Sequence, residues 1–166
     1  MKHIILLSDT HNNLDERFFP HFDKADEIWH AGDIGNISVT NKLKEFASIK
    51  AVWGNIDNNT IRNTFTKNLY FQCEQINIMM THIGGYPGRY NKDLLSIIKS
   101  KKIDLLISGH SHILKVMYDQ KYNFLYMNPG AIGDYGIHKV KTILSFNIDG
   151  DKIKKLKVVE FDRKKT

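Results

Sequence analysis

The sequence contains only one cysteine, Cys73, three prolines and no long apolar run. A lone cysteine cannot close an internal disulfide and lacks the companion thiols of a zinc ribbon, so neither thiol redox chemistry nor thiolate-bound metal is indicated. No apolar run approaches the roughly 18 residues that cross a bilayer, and the apolar stretch after Met1 is too short for a signal peptide. We therefore expect a soluble, cytoplasmic protein without a membrane partner.

Acidic residues are outnumbered: 18 Asp and Glu stand against 24 Lys and Arg, which gives a formal net charge of +6. Most of this excess lies in residues 139–166, which hold nine basic and four acidic residues. A basic patch can attract polyanions, but this one is not interleaved with the aromatic side chains that a single-strand platform uses for base stacking. We therefore interpret it as a solvated sheet edge and not as a nucleic-acid interface.

Nothing in the sequence marks a domain boundary. Apolar residues make up 42% and charged residues 25% of the chain, an ordinary globular composition that argues against a disordered chain or a coiled coil. No internal repeat, low-complexity tract or linker interrupts it. We predict one domain over residues 1–166 and leave a homo-oligomer open.

Five short apolar runs bounded by polar turns predict buried strands. These runs are Ile4–Leu7, Glu27–His30, Ile49–Trp53, Ile76–Met80 and Asp104–Ile107. Apolar residues at helical spacing predict helices around Val39–Ala47 and Leu94–Ile98. A third helix is predicted to begin at Asn13, which forms a capping-box pattern with Glu16. Alternating strands and helices favour a mainly parallel sheet covered on its faces.

The last third of the chain has a different pattern, in which strands follow one another through short connections. The four predicted strands are Ile113–Tyr118, Tyr122–Met127, Thr142–Ile148 and Ile153–Phe161. Asp149-Gly150 is a strong two-residue hairpin signal between the last two. The predicted fold class is therefore α/β: a layered α/β sandwich of two mixed sheets flanked by helices.

Side chains suited to a divalent metal follow the five strands of the first two thirds, each just after the strand ends. In open α/β sheets, the loops at the carboxyl ends of strands converge on a crevice that binds ligands. The sequence therefore predicts one pocket lined by seven potential metal ligands. They are Asp9, His11, Asp33, Asn55, His82, His110 and His112.

Each of these signals has a structural explanation when it stands alone. A Gly-Asp pair is commonly a turn, Asp9 could cap the following helix, and His82 could be a satisfied core histidine. The pair His110 and His112 is a stronger signal, because two imidazoles two residues apart on a loop can face neighbouring metal ions. Five ordered coincidences at five consecutive strand ends favour a metal site over five unrelated turns.

In order along the chain, the motifs Asp-x-His, Gly-Asp, Gly-Asn, His and Gly-His-x-His resemble those of the calcineurin-like metallophosphoesterase superfamily. The short length, Ser8-Asp9-Thr10-His11 and Asn128-Pro129-Gly130 resemble its minimal branch, the YfcE-type phosphodiesterases. The resemblance runs from Met1 to about Phe161 and implies a metallo-dependent phosphatase-like fold. It implies one metal held by Asp9, His11, Asp33 and His112 and another held by Asp33, Asn55, His82 and His110.

The resemblance also implies the chemistry of the site. Asp33 would bridge the two metals, because a carboxylate can give one oxygen to each cation. Two metals about 3.5 to 4 Å apart share a hydroxide and clamp the oxygens of a phosphoryl group, so we expect Asp33 and Asn55 to take part in the hydrolysis of a small phosphate ester. Imidazole, carboxylate and amide ligands disfavour Mg and Ca. We expect two divalent transition-metal ions, manganese first, with Ni, Zn, Fe and Co as alternatives.

Ile56 stands where the larger phosphomonoesterases of the superfamily carry a histidine that protonates the leaving oxygen. An isoleucine cannot donate a proton, which favours phosphodiesters and activated esters over alkyl monoesters. Asp57 completes a Gly-Asn-x-Asp pattern and is interpreted as a loop-capping group or a support for the metal ligands. Arg89 lies in a glycine-rich stretch after His82 and is the candidate substrate-binding residue, since it could pair with phosphate; the alternative is a flexible turn.

The remaining histidines lack a ligand motif. His30 alternates with apolar residues along a predicted strand and is interpreted as a core histidine, hydrogen-bonded behind the site. His3, His21 and His138 have no motif context and are interpreted as surface or packing residues.

Two other functions compete with the hydrolase. The retromer subunit with this fold is regarded as a protein-interaction scaffold whose metal site is impaired, whereas all seven ligand positions here carry competent side chains, which favours an enzyme. A nuclease would combine phosphodiester chemistry with the basic run, but we expect no additional DNA-gripping domain, and this argues against it. The expected partner is a small phosphate-ester substrate.

Overall fold

The structure, a computed structural model, describes residues 1–164 as two β-sheets and the helices that cover them. The α-helices are Phe19–Phe22 (α1), Ile37–Lys44 (α2), Asn59–Thr64 (α3) and Lys92–Ser100 (α4), and a 3₁₀ helix, Glu16–Phe18, precedes α1. The strands are Lys2–Leu7 (β1), Glu27–His30 (β2), Ser48–Ala51 (β3), Asn68–Cys73 (β4), Ile76–Thr81 (β5), Gly85–Tyr86 (β6), Arg89–Tyr90 (β7), Leu105–Ile107 (β8), Leu114–Asp119 (β9), Phe124–Pro129 (β10), Val140–Asp149 (β11) and Lys152–Asp162 (β12). Within this described range, no helix combines the length and apolar character that a membrane crossing needs.

Both large sheets mix parallel and antiparallel strands. The first has the order β12-β11-β1-β2-β3, in which β1, β2 and β3 are parallel and β11 and β12 pair antiparallel. The second has the order β4-β5-β8-β10-β9, in which β5, β8 and β10 are parallel and the two edge strands are antiparallel. The predicted fold class, two mixed sheets flanked by helices, is confirmed.

The two sheets share one apolar core. Trp29 of β2 is fully buried, and its ring meets Phe146 of the same sheet and Phe71 of the other at centroid distances of 5.9 and 5.0 Å. On the outer face of the first sheet, α1 and α2 add Phe22 and Leu43 to a second cluster. Each buried side chain of this size contributes about 1.5–3 kcal/mol. This packing on both faces fixes the ends of the central strands.

All nine predicted strands are confirmed, with small shifts at their ends, and Glu27–His30 keeps its predicted bounds. The helices predicted around Val39 and Leu94 are α2 and α4. The structure adds α3, β4 and the small β6-β7 hairpin, which were not predicted. Strand β4 is an edge strand whose residues are mostly exposed or half-buried, so it lacks the apolar run of a buried strand.

The helix predicted to begin at Asn13 is wrong at its start. Asp15 is the cap, and its carboxylate accepts a 3.1 Å hydrogen bond from the amide of Arg17. Pro20 lies at the N-terminal end of α1, where a missing amide hydrogen costs little. Asn13 instead donates a hydrogen bond to Asp134, a contact that no local pattern reports.

The basic run forms β12, the edge strand of the first sheet. The lysines of this strand are exposed: Lys152, Lys154, Lys155 and Lys157. The predicted solvated edge is confirmed over this strand. Residues 165 and 166, the end of the run, lie outside the described residues.

Candidate metal centre

The candidate site lies where the loops after five strands meet. The first sheet contributes Asp9 and His11 after β1, Asp33 after β2 and Asn55 after β3, and the second contributes His82 after β5 and His110 and His112 after β8. Backbone hydrogen bonds join these loops within each sheet: the amide of Asp9 donates to Gly32 at 2.9 Å, and the amide of Gly109 donates to His82 at 3.0 Å. The site therefore spans both sheets.

Six of the seven predicted ligands form two groups of three, each with its ligand atoms within 4.8 Å of one another. The groups are Asp9, His11 and His112, and Asp33, His82 and His110. Oδ2 of Asp33 lies 3.4 Å from Nε2 of His11 and 3.2 Å from Nε2 of His82. The carboxylate of Asp33 thus lies between the groups, where a residue that serves both would have to be.

Asn55, the seventh predicted ligand, is on the loop after β3, whose backbone contacts Asp33. The amide of Ile56 donates a 3.1 Å hydrogen bond to Oδ1 of Asp33. A Cβ at Gly54 would lie 2.1 Å from that same oxygen, so only glycine permits this approach. Glycine before the asparagine is therefore required by packing against the carboxylate.

Most candidate ligands adopt a backbone conformation that side chains rarely take. Five of the seven have φ between 43° and 70°, in the left-handed region. They are Asp9, His11, Asp33, His110 and His112. Asp and His enter this region more often than most residues, although it still strains an L-amino acid.

Three buried atoms of the two groups have no hydrogen-bond partner within residues 1–164: Oδ1 of Asp9, Nε2 of His11 and Nε2 of His82. Buried polar atoms nearly always have one. Their lone pairs meet in one region of the site, because Oδ1 of Asp9 lies 3.9 Å from the first imidazole nitrogen and 3.8 Å from the second. Imidazole nitrogen and carboxylate oxygen together suit divalent transition metals. The residues present therefore fit a metal ion.

The electrostatics of the site favour a cation. Burial would raise the pKa of Asp33, but the adjacent imidazoles of His11 and His82 hold that pKa well below its usual range. Burial would lower the pKa of His82, but the carboxylates of Asp33 and Asp9 raise it on balance. Nδ1 of His82 donates a 2.7 Å hydrogen bond to the carbonyl of Ala31, which leaves Nε2 as the atom available to a metal.

His30 lies behind the site, as predicted, and is fully buried. Its Nδ1 accepts a 3.1 Å hydrogen bond from the amide of Gly32, and its Nε2 lies 3.0 Å from Oγ1 of Thr10, to which it donates. Burial lowers the pKa of His30 to about 3, so the ring is neutral. This core histidine joins the loops after β1 and β2 without offering an atom to a metal.

Asp57 supports two of the ligand loops. Its buried carboxylate accepts hydrogen bonds from the amides of Ile34 and Gly35, after β2, and of Gly54, after β3. The interpretation of Asp57 as a loop-capping group is confirmed.

The loop between β10 and β11 brings two further aromatic residues to the site. The ring of Tyr135 stacks on His11 with 4.7 Å between centroids. The ring of His138 packs edge-on against His112 at 5.3 Å, and its Nε2 donates a 2.8 Å hydrogen bond to the carbonyl of Gly133. His138 is thus a packing residue, as interpreted, but it packs against a candidate ligand, and no sequence motif indicated that position.

Arg89, the predicted substrate-binding residue, lies in β7 and is not brought into these groups. It lines a cavity of about 690 Å³ together with Tyr90, Asp119 and Tyr122, and no candidate ligand lines that cavity. The predicted ligands Asn55 and His82 instead line another cavity, of about 240 Å³. Arg62 also lines the second cavity; it was not predicted, although it follows the Gly-Asn-x-Asp motif by only five residues.

Residues 1–151 match the family model of the calcineurin-like phosphoesterase superfamily domain, and the chain belongs to this family. A probable metallophosphoesterase from Methanothermobacter thermautotrophicus is 26% identical over 153 residues, which cover 89% of this chain and 87% of that protein. A probable metallophosphoesterase from Methanocaldococcus jannaschii is 31% identical over 132 residues, which cover 76% of this chain and 66% of that protein. The resemblance drawn from the motifs is confirmed.

Solved structures share the fold at low sequence identity. Vps29 from Entamoeba histolytica, in complex with zinc, aligns with a TM-score of 0.76 at 15% identity over 98% of this chain and 99% of that one. A predicted phosphoesterase from Streptococcus pneumoniae aligns with a TM-score of 0.71 at 22% identity, over 98% of this chain and 90% of that one. These likenesses establish the architecture of the chain.

Proposed function

We propose that this protein is a phosphodiesterase that acts with two divalent transition-metal ions, manganese first among them. The observation that carries the proposal is the position of Asp33, whose Oδ2 atom lies within 3.4 Å of an imidazole nitrogen from each group. A single carboxylate so placed can serve both groups. The membership in the calcineurin-like phosphoesterase family supports the same chemistry.

In this proposal, each group of side chains holds one ion. Asp9, His11, Asp33 and His112 hold one, and Asp33, Asn55, His82 and His110 hold the other. When bound, two such ions activate water as a nucleophile and stabilise the charge of a phosphoryl group.

The chain's own residues prepare the site for this chemistry. His82 is held by Ala31 in the tautomer that presents Nε2, and Asp33 stays ionised because its pKa is depressed. His30 and Asp57 fix the loops that carry the ligands. A site whose groups are already in place loses little free energy to reorganisation when substrate binds.

The proposed preference for diesters follows from the lack of a proton donor for the leaving group beside Asn55. Ile56 is 44% exposed next to Asn55 and offers no proton. Both oxygens of neighbouring Asp57 accept backbone amides, so this carboxylate is not a free acid either. An aryl leaving group is stable as an anion and needs no proton, whereas an alkoxide does.

The direct test is hydrolysis of a panel of aryl diesters and alkyl monoesters by metal-free protein reconstituted separately with Mn, Ni, Zn, Co and Mg. We expect turnover of aryl phosphodiesters with transition metals and weak turnover of alkyl monoesters. A higher kcat/KM for alkyl monoesters than for aryl diesters would refute the substrate preference. No turnover with any metal would refute the enzyme and favour the scaffold alternative.

The hydrolysis panel also tests the alternative that the protein is a non-catalytic interaction scaffold. The 15% identity to Vps29 concerns architecture and does not favour a non-catalytic role. All seven candidate ligand positions carry side chains able to bind metal. We therefore propose that the whole chain works as one cytoplasmic enzyme domain on a small phosphate ester.

A further inference from the structure

A second, smaller cavity adjoins the candidate metal centre. It has a volume of about 240 Å³ and shares two of its lining residues, Asn55 and His82, with the candidate ligands. Ordinary small-molecule sites have volumes of about 300–1,000 Å³. This cavity is smaller, so it suits one compact group and not a whole nucleotide. Anything bound there would be next to a phosphoryl group at the metals.

The charged side chains that line this cavity are all basic. Its lining includes Arg62 and Lys67 and contains no carboxylate. Within residues 1–164, neither of these cations forms an ion pair with an acidic side chain. Two cations without counter-charges favour an anion in the cavity that they line.

Arg62 is held in place before any ligand arrives. Its Nε donates a 2.7 Å hydrogen bond to the carbonyl of Asp57, its Nη2 donates a 3.2 Å bond to the carbonyl of Asn55, and its guanidinium carbon lies 4.3 Å from the ring centre of Trp53. Nη1 is engaged in none of these hydrogen bonds. A guanidinium fixed in this way loses little conformational entropy on binding and can still donate to an oxyanion.

We propose that this cavity is a specificity subsite for a second anionic group, carried on one ester arm of the substrate. The inference rests on the proposed function, because it assigns the second group to a substrate whose phosphoryl group is at the metal centre. Phosphate and carboxylate share the chemistry that Arg62 and Lys67 recognise. The preferred substrate is then a phosphodiester with a compact anionic arm and not one with two neutral arms.

The kinetic test compares three 4-nitrophenyl phosphodiesters whose second arm is ethyl, 2-carboxyethyl or 2-phosphonoethyl. We expect kcat/KM to be about tenfold higher for an anionic arm at low ionic strength, since a charge-assisted hydrogen bond to one partner is of this size. The two anionic arms distinguish a carboxylate from a phosphate preference. Added salt should reduce the advantage because both cations are exposed.

The variants are compared by the ratio of kcat/KM for an anionic arm to kcat/KM for the neutral ethyl arm. A general loss of activity cancels in this ratio. Lys67→Gln should lower the ratio of anionic to neutral substrate, and Lys67→Glu should bring it below one. Lys24→Gln, at an exposed lysine outside the cavity lining, is the matched control and should leave the ratio unchanged. A wild-type ratio near one, or an equal change in the control, overturns the subsite.

A binding measurement keeps the inference testable if no diester is hydrolysed. Trp53 lines the cavity, whereas Trp29 is fully buried in the core, so the two indole N–H resonances in an NMR spectrum report different places. Titration of the metal-free protein with inorganic phosphate should shift the indole N–H resonance of Trp53 in a saturable way. The resonance of Trp29 should not change. The shift should weaken several-fold in Lys67→Gln. No saturable shift, or an equal one in that variant, overturns the subsite; failed hydrolysis with an intact shift refutes only the phosphodiesterase.

Discussion

The carboxylate of Asp57 accepts a 2.7 Å hydrogen bond from the amide of Gly54, the residue that precedes the candidate ligand Asn55. The same carboxylate accepts bonds of 3.1 and 2.8 Å from two amides of the loop that follows Asp33. One buried side chain therefore ties together two ligand loops. Its oxygens are engaged with backbone donors, so its contribution is to position the loops and not to move a proton.

Asp57→Asn should loosen this tie, because an amide NH₂ group would face backbone N–H donors. We expect metal affinity to fall about 10- to 100-fold, the usual effect of removing a group that positions a ligand, and the melting temperature to fall with it. Isothermal titration of the metal-free variant with Mn or Zn measures the affinity. Asp151→Asn, at an exposed turn residue between β11 and β12, is the control. Equal metal affinity in Asp57→Asn and wild type would show that the loops do not depend on this carboxylate.

Asp33→Asn keeps the shape of the side chain and removes the charge that lies between the two groups. We expect diester hydrolysis to fall by more than about a hundredfold, since the charge that would offset both cations in the proposed site is lost, and metal content to drop. Circular dichroism should show a retained fold. Asp23→Asn, an exposed aspartate at the end of α1, should leave both properties unchanged. Undiminished turnover in Asp33→Asn would show that this residue does not serve both metals.

Ile56→His adds an ionisable ring beside Asn55. We expect it to raise kcat/KM for alkyl monoesters, by up to about 10²-fold where the ring reaches the leaving oxygen. The gain should fade above the histidine pKa of about 6.5, because only the protonated ring is an acid. Ile56→Asn is the control for polarity without an acid. An equal gain in both variants would assign the effect to polarity.

Glu27 gives a pH-dependent prediction away from the site. Burial would raise its pKa, but hydrogen bonds from Lys2, Trp29 and Lys50 outweigh burial and hold the pKa at about 2. The unfolded chain binds the proton near pH 4.5, so the stabilisation is complete above that pH and is lost as the pH falls toward 2. Glu27→Gln should cost about 1–3 kcal/mol of unfolding free energy at neutral pH.

Urea denaturation at several pH values checks this expectation. The difference between wild type and Glu27→Gln should be largest above pH 4.5 and should shrink in acid. A difference that is constant from pH 7 to pH 3 would contradict the assigned role of the charge.

The strands, and the position of the seven candidate ligands in the loops after them, could be predicted because both signals are local. A buried strand needs a continuous apolar run, and its loop follows directly in sequence, so Asp33 and His82 lie in the loops after β2 and β5 as expected. Edge strand β4 carries no such run and was missed.

Contacts between distant segments could not be predicted in the same way. Tyr135 and His138 reach the site through the loop after β10, more than 20 residues from the nearest candidate ligand in sequence. Asn13 pairs with Asp134 across 121 positions, which overrides its local capping pattern. Arg89 follows a candidate ligand closely, yet the hairpin of β6 and β7 carries it to another cavity. Sequence distance is a poor guide where a loop has a structure of its own.

The left-handed backbone at five candidate ligand positions limits which residues can replace them if the metal site is lost during evolution. Most side chains strain an L-residue there by about 1–2 kcal/mol, while Gly and Asn enter the region readily. A descendant that no longer needs its metals can therefore lose Asp33 or His110 to Gly or Asn at less cost in stability than to Leu or Val. In a chain of this fold that no longer catalyses hydrolysis, we expect turn-forming residues at the former ligand positions. The loops would then keep their conformation after the catalytic activity is lost.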